Sequence, residues 1–298
     1  MTGFLARRMP PVRYERPETL NDATSLLAEA QGTAFVLAGG TDLLVRMKND
    51  DFDADLVIDI KSIDGMGSVV ETDDAFVIGA AVPCAALAEH AALSAAWPGV
   101  VEAANLIGST QIQGRCTMAG NLCNASPAAD SVPALVAAGA QAKVAGPGGT
   151  RMVAVEDIPA APGKTSLLKG EIIEAIVLAK RAAGSGDAYL RFIPRTEMDI
   201  AVVGVAVNLT LDAAGKVDTA RVALGAVAPT VLLAEDAAQT LVGTTLEDSV
   251  LETLAAQCSA MCNPIDDKRG TIAFRKQVAG VLARRAARIA FDRAGGTS

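Results

Sequence analysis

The chain has 298 residues, enough for two domains each with its own core. An apolar content of 51%, much of it Ala and Val, is that of a globular chain rather than a disordered one. A formal net charge of −8 argues against nucleic acid as a partner, because phosphate recognition needs clustered Lys and Arg. No apolar run approaches the ~18 residues that span a bilayer, and Met1–Arg8 lacks the apolar segment of a secretory signal, which points to the cytoplasm.

In chain order, the first sixty residues alternate strand and helix. Val12–Tyr14 is extended, Thr19–Gln31 is helical with Thr19 or Asn21 as cap, and Ala34–Leu37 and Leu56–Ile60 are strands, an α/β unit. A hairpin follows, with Ser68–Glu71 and Phe76–Gly79 flanking a Thr72-Asp73-Asp74 turn. Val82–Leu93, Gly99–Ile107 and Ser131–Ala138 read as helices. Gly146-Pro147-Gly148-Gly149 turns the strand Gln141–Ala145 into Arg151–Val153, and Glu171–Leu178 closes this half as a strand. Ala182–Asp187, small and polar, reads as a linker. Beyond it Tyr189–Phe192, Ala201–Leu211 and Arg221–Ala226 form an antiparallel meander. Helices come at Leu232–Leu241, Ser249–Cys262 and Thr271–Arg293, the last capped by Thr271 with arginines toward its C-terminal end. Strands followed by helices make this second half α+β.

Side-chain chemistry is sparse. The five cysteines include no CxxC pair, and the spacing of Cys258 and Cys262, one helical turn, reads as packing rather than metal ligation. The only histidine, His90, sits in an Ala-rich helical stretch and reads as a structural residue. A chain so poor in acids, bases and nucleophiles implies that a cofactor carries any reaction.

Two glycine-bearing turns supply the place for one. Leu37-Ala38-Gly39-Gly40-Thr41-Asp42-Leu43 and Thr117-Met118-Ala119-Gly120-Asn121 expose backbone N–H groups where no Cβ obstructs an anion, and the two could converge on one diphosphate. The dinucleotide fingerprint Gly-x-Gly-x-x-Gly is absent. Pro162-Gly163-Lys164-Thr165 fails as a phosphate loop because Ile158 stands where the first glycine is required, and it reads as loop packing. Asp42 and Asp130 stand at helix starts, where plain N-capping competes with a cofactor role.

These turns, with Gln113–Asn121, Ser126–Asp130, Lys164–Glu171, Arg195–Ala201, Asp266–Gly270 and Phe274-Arg275, resemble the FAD-binding medium subunit of the molybdenum hydroxylases, the xanthine dehydrogenase and carbon monoxide dehydrogenase family, over nearly the whole chain. The resemblance implies an α+β chain: a two-subdomain FAD-binding domain of the vanillyl-alcohol-oxidase type over 1–180 (subdomains about 1–60 and 61–180), then a C-terminal domain over 187–298 with an antiparallel sheet and helices. It implies FAD held by Val36, Leu37, Ala38, Gly39, Gly40, Thr41, Asp42 and Leu43, and by Thr117, Met118, Ala119, Gly120 and Asn121. Asp130 would meet the ribityl hydroxyls, with Ile107, Gly108, Leu168 and Arg191 near the flavin. Ala119 stands where the family usually has glycine, and Ile200 lies where carbon monoxide dehydrogenases carry a tyrosine.

The resemblance also implies an electron relay within a dimer of heterotrimers. A large subunit would carry the molybdenum–pterin cofactor and a small subunit two [2Fe–2S] clusters, from which electrons reach FAD on this chain and then an external acceptor. No catalytic side chain and no metal ligand is expected on this chain. Two other classes compete: an autonomous flavin oxidoreductase acting on its own substrate, and a non-catalytic nucleotide-binding or assembly module.

Overall fold

Residues 12–49, 51–195 and 198–296 are described by a computed structural model. The readings placed on Met1–Arg8, and on Thr196 and Glu197 of the Arg195–Ala201 motif, lie outside the described residues. The first unit is β1 (Arg13–Glu15), α1 (Leu20–Glu29), β2 (Ala34–Leu37), α2 (Leu43–Lys48) and β3 (Leu56–Asp59), with a parallel sheet in the order β1-β3-β2. Thr19 caps α1, its hydroxyl accepting from the Asp22 N–H at 3.1 Å. The apolar run Leu56-Val57-Ile58 is buried on both faces of the central strand, as parallel pairing requires.

The second unit opens with the hairpin β4 (Val69–Glu71) and β5 (Ala75–Gly79). Six short helices follow: α3 (Cys84–Glu89), α4 (Ala91–Ala96), α5 (Pro98–Asn105), α6 (Thr110–Gln113), α7 (Met118–Cys123) and α8 (Ser131–Ala137). It closes with β6 (Gln141–Gly146), β7 (Gly149–Ala154), the small hairpin β8 (Pro159–Ala161) and β9 (Lys164–Thr165), and β10 (Ile172–Ala179). The antiparallel sheet runs β4-β5-β10-β6-β7. The helix expected over Val82–Leu93 is two helices. His90 leaves helical geometry (φ −83°, ψ 94°) and its Nδ1 accepts from the Leu93 N–H at 3.2 Å, so the imidazole caps α4.

The third unit is a meander, β11 (Ser185–Phe192), β12 (Val203–Leu211), β13 (Val217–Gly225) and β14 (Leu232–Leu233), covered by α9 (Glu235–Gln239), α10 (Asp248–Met261) and α11 (Ile272–Arg293). Thr271 caps α11 as expected, accepting from the Phe274 N–H at 3.2 Å. Two expectations change here. Leu232 and Leu233 pair with Leu224 and Ala223 as an edge strand, so the helix is confined to Glu235–Gln239. The last part of the stretch read as a linker is strand: Ser185, Gly186 and Asp187 pair with Thr210, Leu209 and Asn208. A Cβ on Gly186 would collide with the Ala290 carbonyl, so glycine serves there to seat α11 against β11.

Asp187 is buried and locks this unit to the preceding one. Its carboxylate pairs with Arg181 at 2.8 Å and accepts from the Val100 N–H at 3.1 Å. Arg181 lies 4.2 Å over the Trp97 ring and also donates to the Ala96 carbonyl and to Asn208. Burial pushes the Asp187 carboxyl up and the Arg181 guanidinium down, each opposed by the partner's charge. Arg293 of α11 donates to the Asp187 carbonyl at 2.8 Å and pairs with Glu102 of α5 at 2.5 Å. Cys258 and Cys262 lie in the core of the third unit, the Cys262 thiol donating to the Cys258 carbonyl at 3.0 Å.

Candidate cofactor cleft

At the carboxyl ends of β2 and β3 the parallel sheet leaves a crevice, the place where open parallel sheets take ligands. The first glycine turn fills that position. Gly40 has φ +76°, and a Cβ there would press on the Leu37 side chain. Gly39 has no room for a side chain, because its Cβ would overlap the Arg115 carbonyl and approach the Cys116 Cα at 3.1 Å. This close approach brings the turn before α2 against the loop before α7. The N–H groups of Gly39, Gly40, Thr41 and Asp42 donate to no described residue, so the turn presents a row of free donors.

The second turn is the start of α7. Thr117 is its N-cap, its hydroxyl accepting from the Gly120 N–H at 2.9 Å. Ala119, where the family usually has glycine, lies in regular helix with negative φ, a conformation alanine adopts without strain. Asn124 donates to Asp42 at 3.2 Å and ties the two turns together. The Asn121 side-chain oxygen accepts from the Ser131 N–H at 3.1 Å and from its hydroxyl at 2.7 Å, which caps α8.

The resulting cleft has a volume of about 350 Å³ and opens to solvent. Of the residues expected at the cofactor, Val36, Ala38, Gly39, Gly40, Thr41, Asp42, Leu43, Ile107, Thr117, Ala119, Gly120 and Asn121 line it. Leu37 and Met118 turn into the core, and Gly108 (φ +68°) makes the bend between α5 and α6. Leu168 is exposed outside the cleft wall, its N–H donating to Glu171 at 2.7 Å.

Asp130 and Arg191 do not line the cleft but form a separate buried pair at 2.9 Å, with the Tyr189 hydroxyl 3.4 Å from the Asp130 carboxylate. Asp130 occupies the N-cap position of α8 but caps nothing, because Asn121 does so instead. Burial pushes its carboxyl up to about 6 against the opposing pull of Arg191 and Tyr189. Asp42 likewise makes no cap bond. The cleft walls around its carboxyl push it up, Arg46 opposing, although solvent still reaches it from the open side.

The cleft also holds residues not expected at the cofactor. Leu27, Phe35, Ile60 and Ile173, outside the motifs, make an apolar wall with Leu167 of the Lys164–Glu171 motif; Cys123 and the motif residue Cys116 line the turn side, and Arg46 brings a cation. Gly163 and Thr165 are there too, from Pro162–Thr165, read as loop packing although Thr165 also falls in the Lys164–Glu171 motif. Gly163 has φ +71° and its N–H donates to the Ala125 carbonyl at 2.9 Å, which holds the β8–β9 hairpin over the cleft. A glycine in a Pro-Gly turn was the available signal.

The donor set fits a dinucleotide cofactor. The free backbone N–H groups of the first turn, packed against the loop before α7 where Gly39 admits no Cβ, are suited to a diphosphate, and the adjoining wall is apolar enough for fused rings. The comparisons agree. The model of the FAD binding domain in molybdopterin dehydrogenase matches residues 10–180, and that of the CO dehydrogenase flavoprotein C-terminal domain matches 188–290. The carbon monoxide dehydrogenase medium chain of Afipia carboxidovorans is 34% identical over 281 residues, covering 94% of this chain and 97% of its own. The xanthine dehydrogenase FAD-binding subunit of Escherichia coli O157:H7 is 30% identical, covering 95% and 97%. The solved reconstituted CO dehydrogenase from Oligotropha carboxidovorans superposes with a TM-score of 0.91 at 33% identity, over 96% of this chain and 99% of that one. A cleft of backbone donors, joined to a second α+β unit and matched along almost its whole length, places this chain in the FAD-binding medium subunits of the molybdenum hydroxylase family, as an oxidoreductase subunit.

Proposed function

We propose that this chain is the electron-exit flavoprotein of a molybdenum hydroxylase, taking electrons from [2Fe–2S] clusters of a small partner subunit and passing them to an external acceptor. The observation that carries the reading is the junction of the two glycine turns, a diphosphate cradle made of backbone that offers nothing to act on a substrate. FAD held in this cleft would supply the redox chemistry.

The chain's own residues bind and orient. The N–H groups from Gly39 to Asp42 and the start of α7 hold the diphosphate, and the wall of Val36, Ile60 and Ile107 excludes water from the rings. Asp130 and Arg191 keep a buried, paired charge beside the start of α8, which Asn121 of the cleft lining caps. A large molybdenum–pterin subunit completes the complex, as a cytoplasmic dimer of heterotrimers in which residues 1–180 hold FAD and 187–298 form the second domain.

Purification of the chain with its natural partners tests this. The expected outcome is a flavin spectrum between 300 and 600 nm, FAD released on denaturation, and co-eluting iron–sulfur and molybdenum subunits. Full turnover of a small substrate by the isolated FAD-loaded chain overturns the relay in favour of an autonomous flavoenzyme. A chain that takes up no FAD overturns both.

A further inference from the structure

Lys61 lies two residues beyond the end of β3, and neither the cleft lining nor the family motifs include it. Its Nζ donates to the Ala38 carbonyl at 3.1 Å and pairs with Asp59 at 2.7 Å. Asp59 is 4% exposed and is itself held from two sides. It accepts from the Tyr14 hydroxyl at 2.5 Å and from the Lys61 N–H at 3.0 Å. Burial pushes the Asp59 carboxyl up, but the bonds from Lys61 and Tyr14 outweigh it and hold the group below its ordinary value, so it stays an anion. The chain Tyr14–Asp59–Lys61 thus starts on β1, crosses the end of β3 and ends on the residue before Gly39.

The Ala38–Gly39 peptide is trans, like every peptide among the described residues. In a planar trans peptide the carbonyl and the N–H point in opposite directions. Holding the Ala38 oxygen toward Lys61 therefore turns the Gly39 N–H away from Lys61. That N–H donates to no described residue, and both Ala38 and Gly39 line the cleft.

We propose that Lys61 is a positioning residue for the cofactor: by gripping the Ala38 carbonyl it aims the Gly39 N–H at the diphosphate. The proposal rests on the reading of this cleft as the FAD site. The ammonium also polarises the peptide it holds, which strengthens the N–H as a donor to an anion. Asp59 keeps the ammonium in place, and Tyr14 keeps Asp59 in place.

The test uses the full complex after removal of its flavin, titrated with FAD by flavin fluorescence and, in competition, with ADP, which carries the diphosphate but no flavin. Lys61→Met is expected to weaken FAD and ADP alike by roughly 10- to 100-fold, the worth of one charge-assisted hydrogen bond. Lys61→Arg, which can still reach the carbonyl, is expected to restore binding to within about threefold of wild type. Asp59→Asn separates aiming from simple attraction. It makes the site more positive, so attraction alone predicts tighter FAD, whereas release of Lys61 from its brace predicts weaker FAD.

Unchanged FAD binding by Lys61→Met in a complex of wild-type melting temperature overturns the proposal. So does tighter binding by Asp59→Asn, or weakening of FAD with ADP unaffected. Failure of the wild-type chain itself to take up FAD overturns the cofactor reading instead, and the two failures are told apart by that control.

Discussion

The cofactor cleft and the junction between the second and third units solve opposite problems. The cleft leaves backbone open: the N–H groups of its first turn donate to no described residue, and the ionised side chains lining it are Asp42, Arg46 and Glu171. The junction is made of side-chain charge: Arg181, Asp187, Arg293 and Glu102 bridge elements far apart in sequence, and two of them are buried. A cleft must stay open to a ligand, so its donors are left unsatisfied by the chain. A junction must not move, so every charge in it is matched. One region is poised and the other is closed.

The largest effect is expected at the junction. Asp187→Ala leaves the Arg181 guanidinium buried against Trp97 without its anion, which costs about 3–5 kcal/mol. The replacement of both, Arg181→Met with Asp187→Leu, is expected to cost less than Asp187→Ala alone, because the unpaired charge goes with its partner. Urea unfolding of the three proteins checks this. A double variant worse than the single one would show that the junction depends on the pair's geometry beyond its charge balance.

At the cleft, Gly39→Ala is the matching experiment. The added Cβ meets the Arg115 carbonyl, backbone that cannot rotate aside, so the two turns must separate. The cost is about 3 kcal/mol, the upper end of overpacking, and it is expected to appear as roughly 100-fold weaker FAD binding with a smaller change in melting temperature. If melting falls as far as in Asp187→Ala while FAD binding holds, the turns are structural and the contrast between the regions fails.

Asp130 is a second buried charge of the junction kind, pairing from the start of α8 with Arg191 of β11, although its neighbour Ser131 is held by the cleft residue Asn121. Its folded value of about 6 lies above that of an unfolded carboxyl, near 3.9. Such a group contributes its full stability below pH ~4, and the contribution is lost as pH rises through ~6. Over that window wild type is expected to lose of order 1–3 kcal/mol relative to Asp130→Asn, which does not titrate. The slope of the stability difference between pH 4 and 7 is the readout, because the constant offset from stranding Arg191 does not change with pH. A flat difference would mean that Asp130 is held as a plain surface-like carboxylate by Arg191.

The same contrast explains what was legible in the sequence. Gly39-Gly40 announces itself because a turn that needs left-handed φ or a close approach needs glycine locally, within three or four residues, whereas Gly120 sits inside α7 beside the Thr117 hydroxyl. Family motifs then joined the two turns, and the meander and terminal helix followed from strand and helix periods. The pairings did not show. Arg191 reaches back 61 residues to Asp130, and Lys61 reaches back 23 to Ala38; nothing in a run of sequence separates such a lysine from any solvated one. Ser185-Gly186-Asp187 looked like a linker because small polar residues dominate it. Its aspartate is buried only because Arg181 and α5 come to meet it. Phe35 joined the cleft wall with Ala34 and Val36 because β2 borders the crevice along its length, a property of the sheet rather than of the strand.

The smallest effect sits where structure and binding meet in one side chain. Thr117 both lines the cleft and caps α7 through the Gly120 N–H. Thr117→Ala removes the cap, which costs about 1 kcal/mol, or roughly 2–4 °C in a chain of this size. It also frees the Gly120 N–H at the helix start, and a diphosphate beside it would accept what the hydroxyl no longer does. The flavin-free protein is therefore expected to lose the full 2–4 °C, while the FAD-loaded protein loses less, because the ligand satisfies the stranded donor. Thr117→Ser keeps the hydroxyl and is expected to show neither loss. Equal losses with and without FAD would place the Gly120 N–H out of the diphosphate's reach, and the anion would then be held by the first turn, where Gly39 and Lys61 decide its position.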